Sequence, residues 1–318
     1  MPTFTTTRRG ILGLIGGLAI FRSAPAVAVP DTFTLVPQLA VGQTLRYRLD
    51  QRTERNGALV QRAASRVSIA VVEALDAGWL ARWTVQDTQL LDADPRMRPL
   101  LEALQHLWDG VPIDVVLDEA GRVAGVADMP GLRERMRESM DRLLAVVAKD
   151  PAMAPLDAHL RAALQPMLAN EAYIAQAVLK EPGILLGAMG REYRVGEPLE
   201  VRTTVASPLG TGEIPILGRF DLRGVNGRGQ LARLGWLMVV DRHTTARVVG
   251  GELQPSVDRL AGAAAVDATA ALAGMDFDDR GDFDVDTATA WPTRVSHTRR
   301  IAGGDSSRTD SVEFSRLG

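Results

Sequence analysis

Alternation of apolar and polar side chains is the first pattern along the chain. In residues 44–50, Leu45, Tyr47 and Leu49 share one face and Arg46, Arg48 and Asp50 the other. That is the period-two pattern of a strand with one face in water. Asn56-Gly57 follows, and both residue types tolerate positive φ, so the pair predicts a hairpin turn. Val67, Ile69 and Val71 mark the return strand, and a third strand is predicted from Gly78-Trp79 through Trp83 and Val85. Ile113, Val115 and Leu117 alternate again before a second turn at Asp118-Glu119-Ala120-Gly121. Later strands are predicted over 199–206, 219–225 and 231–241, with Asn226-Gly227 turning between the last two. Three more follow over 281–287, 293–301 and 308–316, the last turn being Gly303-Gly304-Asp305.

Between these regions the period changes to 3.6. From 131 to 149, Leu132, Met136, Met140, Leu143, Leu144 and Val147 fall on one helical face. Arg133, Glu134, Arg137, Glu138 and Asp141 fill the other, so this helix is amphipathic. A short helix is predicted over 97–108, with Leu100, Leu101, Leu104 and Leu107 on one side. Two more, over 156–167 and 171–180, are punctuated by Pro151, Pro155, Pro166 and Pro182, and an Ala-rich helix is predicted over 256–273. Strands, then helices, then strands joined by hairpin signals describe an α+β fold with antiparallel sheet. The expected picture is a strongly curved antiparallel sheet wrapped around central amphipathic helices. It forms a single domain over 39–318, after a linker at 29–38.

The chain also echoes itself. Val41-Gly42-Gln43-Thr44-Leu45-Arg46-Tyr47-Arg48 resembles Val195-Gly196-Glu197-Pro198-Leu199-Glu200-Val201-Arg202, and Gly78-Trp79-Leu80 recurs as Gly235-Trp236-Leu237. The echo fits two related lobes, 39–190 and 191–318, and equally fits the general look of turns entering strands. The sheet-plus-helix architecture resembles the open-barrel periplasmic carriers of lipoproteins and lipids over much of the chain beyond residue 28. The turn-and-strand signatures at 41–50 and 281–292 resemble exported bacterial proteins of uncharacterised families. Neither resemblance transfers a functional residue.

The first 28 residues are organised differently. Arg8 and Arg9 stand in a short basic start without acids, residues 10–21 are apolar, and Ser23-Ala24-Pro25-Ala26-Val27-Ala28 is a small-residue exit. These are the parts of a secretory signal peptide, with Ala26 and Ala28 fitting the signal peptidase and cleavage expected after Ala28. Thr7-Arg8-Arg9-Gly10-Ile11-Leu12 resembles the twin-arginine consensus, and Gly10, Gly13, Gly16 and Gly17 dilute the apolar stretch as that route commonly does. A spanning helix needs roughly 20 apolar residues, so no stable transmembrane anchor is expected after processing. The resemblance implies export machinery and signal peptidase as partners and a periplasmic location.

Composition narrows the chemistry. Cleavage after Ala28 would remove Arg8, Arg9 and Arg22 and no acid, taking the formal net charge from −3 to −6. A mildly acidic chain without basic runs has no electrostatic footprint for nucleic acid. With no cysteine, disulfides, thiolate metal sites and a Cys nucleophile are excluded. The four histidines, His106, His159, His243 and His297, are isolated, with no H-x-x-x-H or H-E-x-x-H spacing. No G-x-S-x-G or S-x-x-K motif nominates a catalytic residue. Gly224-Val225-Asn226-Gly227-Arg228-Gly229 joins two predicted strands, where phosphate binding needs a strand followed by a helix N-terminus. No cofactor is therefore expected. Asp276, Asp278, Asp279, Asp282, Asp284 and Asp286 form the densest acidic run; it reads either as a Ca²⁺ loop or as a solvated turn and strand, and its order does not match an EF-hand.

The remaining distinctive feature is methionine. Met129, Met136, Met140, Met153, Met167 and Met189 cluster in the helical middle, which suits either core filling or an adaptable apolar surface. The leading expectation is a periplasmic binding or carrier protein for a hydrophobic or amphipathic, lipid-like ligand, with Trp83, Met136, Met140 and Leu143 lining the cavity. The alternatives are a non-catalytic envelope scaffold or assembly factor and, third, a hydrolase whose site carries no recognised motif. Two measurements test the address. Intact mass of the exported protein should place its N-terminus at Val29. Replacing both Arg8 and Arg9 by Lys should block export, whereas a general secretory signal would tolerate the change.

Overall fold

The computed structural model describes residues 32–95, 98–105, 109–149, 170–206, 213–226, 230–261 and 267–318. Thirteen strands run along the described chain, in order β1 (Thr32–Thr34), β2 (Thr44–Arg55), β3 (Ala58–Leu75), β4 (Gly78–Ala93), β5 (Pro112–Leu117), β6 (Val123–Val126), β7 (Glu192–Arg194), β8 (Leu199–Ala206), β9 (Glu213–Val225), β10 (Leu231–Val240), β11 (Asp276–Asp286), β12 (Pro292–Gly303) and β13 (Ser306–Arg316). Eleven of them form one open sheet in the order β6-β5-β4-β3-β2-β13-β12-β11-β10-β9-β8, antiparallel throughout. Each half is a plain meander, and the two meet where β13 pairs with β2. The echoed segments enter β2 and β8, with Gly42 and Gly196 both at positive φ (86° and 80°), and the Gly-Trp-Leu pair starts β4 and falls within β10.

Hairpin chemistry and bulges shape this sheet. Asn56 and Gly57 take φ of 50° and 76°, the two positive angles that a tight turn between right-twisted strands demands. Asp118 accepts backbone hydrogen bonds from Ala120 and Arg122, closing the turn that precedes β6. Register slips three times between β3 and β4, and once each in the β2–β3, β9–β10 and β11–β12 ladders. Each inserted residue bends its strand and adds twist, so the long strands curve into a trough instead of lying flat.

The helices are α1 (Arg98–Gln105), α2 (Met129–Lys149), α3 (Glu171–Val178), α4 (Lys180–Leu186), α5 (Arg242–Ala261) and α6 (Ala268–Ala273). The concave face of the sheet buries Leu45, Tyr47, Leu49, Val67, Ile69, Trp83, Val115 and Leu117 from the first half, and Phe220, Leu222, Leu234, Phe283, Val285 and Phe314 from the second. Ile174, Val178, Leu185 and Leu186 of α3 and α4 pack into the same core. At the seam, the Phe314 ring meets Tyr47 and Trp83 edge-on at centroid distances of 6.4 and 6.1 Å. Tyr47 donates to the Pro292 carbonyl at 3.0 Å, and burial pushes its hydroxyl well above the ordinary phenol range. The architecture is α+β with a curved antiparallel sheet around helices, as the periodicity indicates.

Several boundaries differ from the sequence reading. The helix expected to stop near Lys180 continues after a one-residue break as α4, because Pro182 sits in its first turn, where the N–H it lacks needs no partner. Helix α5 starts at Arg242 instead of 256; Asp241 accepts from the Thr244 N–H and hydroxyl, a cap hidden beneath β-branched Thr244, Thr245, Val248 and Val249. The stretch read as a linker is tied down from Thr32 onward. Thr32–Thr34 pairs with β7, Leu35 is buried with backbone bonds to Gly190 and Arg191, and Gln38 bonds the Thr289 carbonyl. The helix predicted over 156–167 and the turn at Gly227 lie outside the described residues.

The convex face is ionic. Arg48–Asp50, Arg82–Asp114, Arg219–Asp221 and Arg294–Glu313 are among its pairs. Exposed pairs contribute about 0–1 kcal/mol each, so they keep this face wet more than they hold the sheet together. Core packing at the seam does that. Phe314→Ala should therefore cost about 3–5 kcal/mol, read as a lowered urea midpoint of one cooperative transition.

Candidate functional site

Helices α3 and α4 fill the trough unevenly. Towards the first half of the sheet, Pro182 and Leu186 meet Ile69, Ala81, Trp83, Val115 and Leu117, leaving a void of only about 10 Å³. A water needs at least that much, so this side is packed. Towards the second half, the helical segment presents Ala177, Gly183 and Gly187 beside Leu179 and Ile184, and a cavity of about 850 Å³ lies between it and the sheet. Its sheet wall is Ile214, Ile216 and Phe220 from β9, Trp236, Met238 and Val240 from β10, Phe277 and Phe283 from β11, and Ile301 from β12. A Cβ built on Gly183 would meet nothing within 4 Å, so the missing side chain is itself part of the opening.

Register decides which polar groups enter this apolar space. Trp236, Gly281 and His297 stand opposite one another on β10, β11 and β12; in the next inward row stand Met238, Asp279 and Arg299. With no side chain on Gly281, the Trp236 and His297 rings come within 5.3 Å between centroids at 34°. A Cβ there would lie 2.6 Å from the Ser296 carbonyl oxygen and 3.4 Å from the indole. His297 Nε2 lies 2.5 Å from Asp279 Oδ1, and Arg299 Nε donates to Oδ2 at 2.6 Å. Burial raises the Asp279 carboxyl, but the His297 hydrogen bond and the Arg299 charge outweigh it and hold the group below the usual carboxylate range. His297 Nδ1 and Thr245 Oγ1 are buried without a hydrogen-bond partner among the described residues. No hydroxyl is thus poised on the imidazole as a nucleophile would be.

The charged residues on the cavity lining are Lys180, Asp278, Asp279, Arg299 and Arg300. Asp278 is paired with Arg280 at 3.6 Å and Asp279 with His297 and Arg299. Among the described residues, Lys180 and Arg300 form no ion pair, and Arg299 keeps its Nη1 free, with its side chain 40% exposed.

The residues singled out from sequence fall elsewhere. Trp83 is buried in the packed half, against Phe314 and the small void. Met136 and Met140 are half-buried and Leu143 buried on α2, which touches α1 and α3. None of the four lines the 850 Å³ cavity; the methionine that does is Met238. Arg8, Arg9, Ala26 and Ala28, with Met153 and Met167, lie outside the described residues. The acidic run divides by strand parity: Asp276, Asp278, Asp282 and Asp284 pair with Arg242, Arg280, Arg223 and Arg233, while Asp286 caps a turn through the Ala288 N–H. Asp279 alone turns inward and is buried. Among the described residues no cluster of three His, Asp or Glu side chains could hold a metal ion. Asp279 and His297 were missed, although a signal existed: each is an even number of residues from buried Phe283 or Val295 on its own strand.

No protein-family model matches the chain, and no curated protein does. Among solved structures, a lipovitellin studied for its lipid–protein interactions aligns with 88% of this chain at 9% identity and a TM-score of 0.40. This chain spans about a quarter (26%) of that one. An outer membrane channel from Pseudomonas putida F1 aligns with 89% of this chain and 98% of its own at 10% identity, TM-score 0.17. The Pseudomonas aeruginosa MucA/MucB complex aligns with 87% of this chain and 89% of its own at 10% identity, TM-score 0.12. Likeness at this level carries neither fold family nor function to this chain.

The buried pair sets a pH dependence. A carboxyl held below its unfolded value of about 3.9 stabilises the fold above that pH, and the contribution is lost as pH falls through the folded pKa. Asp279→Asn removes the negative charge and one of the two oxygens that bond His297 and Arg299, and should cost about 3–5 kcal/mol at pH 7. Urea titrations of both proteins across acid pH should show the gap narrowing below about pH 4; a gap independent of pH would show that the charge at Asp279 contributes nothing.

Proposed function

We propose that this protein is an exported binding or carrier protein that holds one hydrophobic or amphipathic, lipid-like molecule non-covalently between α3–α4 and the second half of its sheet. The single observation that carries the reading is the cavity of about 850 Å³, walled by aliphatic and aromatic side chains. Small-molecule sites occupy about 300–1,000 Å³ and are mostly apolar with a few placed polar groups. Each methylene moved from water into such a wall gains about 0.8 kcal/mol. Gly183 supports the reading further, since it leaves open space on the helical side of the cavity where a side chain would stand. The periplasmic location belongs to the same proposal and rests on the signal-like N-terminus. No helix among the described residues is long and apolar enough to cross a membrane.

Native mass spectrometry of the protein purified from its own compartment should show a lipid-sized adduct that is released on denaturation. Gly183→Trp, which fills the cavity from the helical side, should abolish the adduct, and Gly183→Ala should retain it and keep or slightly raise stability, since alanine favours a helix by about 0.5–1 kcal/mol. Equal adduct on the Gly183→Trp protein would place the ligand elsewhere and sink the proposal.

A further inference from the structure

We propose that the ligand is an anionic amphiphile whose head group is held by Lys180 and Arg299 where the cavity lining becomes polar; this rests on the cavity being the binding site. The argument is one of charge balance. The carboxylates on the lining are already engaged, Asp279 by His297 and Arg299 and Asp278 by Arg280. The cations are in excess. Lys180 has no ion-pair partner among the described residues, and Arg299 spends Nε and Nη2 on a single oxygen of Asp279; Arg300 stands opposite Asp278 in the outward row and takes no part. These groups are juxtaposed by the fold: Arg299 stands opposite Asp310 on β13, and the Lys180 ammonium is near enough to Asp310 to lower its pKa.

The nearby acids on neighbouring elements do not supply the missing counter-charge. Asp310 is held by Arg308 and the Thr53 hydroxyl, and Glu181 accepts from Gln51 while burial pushes its carboxyl upward. An apolar space edged by Lys180 and Arg299 selects a ligand with an acyl-like body and a carboxylate or phosphate head, since a charge-assisted hydrogen bond is about twice as strong as a neutral one. Arginine forks suit either head group. Asp279 has a positioning role: it fixes Arg299 along the sheet so that the unused edge of its guanidinium remains available.

The test compares three probes on the full mature chain: a fluorescent long-chain carboxylate, a monoacyl phosphate, and the methyl ester of the carboxylate. The expected result is that at least one anion binds about tenfold tighter than the ester, with the advantage shrinking as salt is raised. Lys180→Glu and Arg299→Gln should each lower that ratio towards one. Arg46→Glu, the same charge change on the convex face, should leave it as in the wild type. The preferred anion then distinguishes a fatty-acid-like from a phosphate-bearing ligand. Equal affinity for ester and anions would overturn the head-group assignment while leaving the apolar cavity as the site. A preference that survives Lys180→Glu and Arg299→Gln would overturn the assigned residues. Failure of all three probes to bind would overturn the cavity reading itself.

Discussion

Nine residue pairs, from Tyr47 opposite Arg316 to Arg55 opposite Arg308, join the last strand of the chain to the first long one. Every other ladder in the main sheet links strands adjacent in sequence; this one closes a loop of about 250 residues. Loop-closure entropy grows only logarithmically with length, so a ladder backed by the Tyr47–Phe314–Trp83 cluster suffices to hold the halves together. Without it there would be two meanders, each with a bare edge at its centre. With it there is one continuous trough, and the concave face has a single core.

A trough of this width has to be filled, and the way it is filled makes the site. Pro182 and Leu186 on one side of α4 dock on the strands of the first half, whereas Gly183, Ile184 and Gly187 face the second half across open space. Deleting side-chain volume from a packed interior normally costs stability in proportion to the cavity left. Keeping about 850 Å³ open beside well-packed aromatics therefore demands compensation, and a bound apolar molecule would supply it by mass action.

The polar edge of the cavity follows from strand parity. The aspartates of β11 that face outward meet arginines of β9, β10 and β11 in water, where such pairs weigh little. Asp279 lies on the inward side and so meets His297 and Arg299 in a dry setting, where losing one partner is expensive. The same residue type therefore does two jobs on one strand, separated only by which side of the pleat it occupies. Gly281 makes the arrangement possible, because any Cβ there would collide with the backbone of β12.

Periodicity alone carried the reading a long way. Alternation located the long strands, Asn56-Gly57 named its turn, and the 3.6-residue pattern placed α2, because all of these are decided by contacts within a few residues. It also marked an inward face on β11 and β12 from which Asp279 and His297 could have been recognised. Choices made between distant segments were beyond it. Trp83, Met136, Met140 and Leu143 are as apolar as any cavity wall, yet they lie outside this one, because which half of the trough the helices fill depends on how α4 leans on the sheet. The pairing of β13 with β2, the meeting of Trp236 and His297 across Gly281, and the placing of Arg299 against Asp279 are likewise products of register between separate strands. Local patterns set what each segment is; only the tertiary register decides which faces meet and where room is left between them.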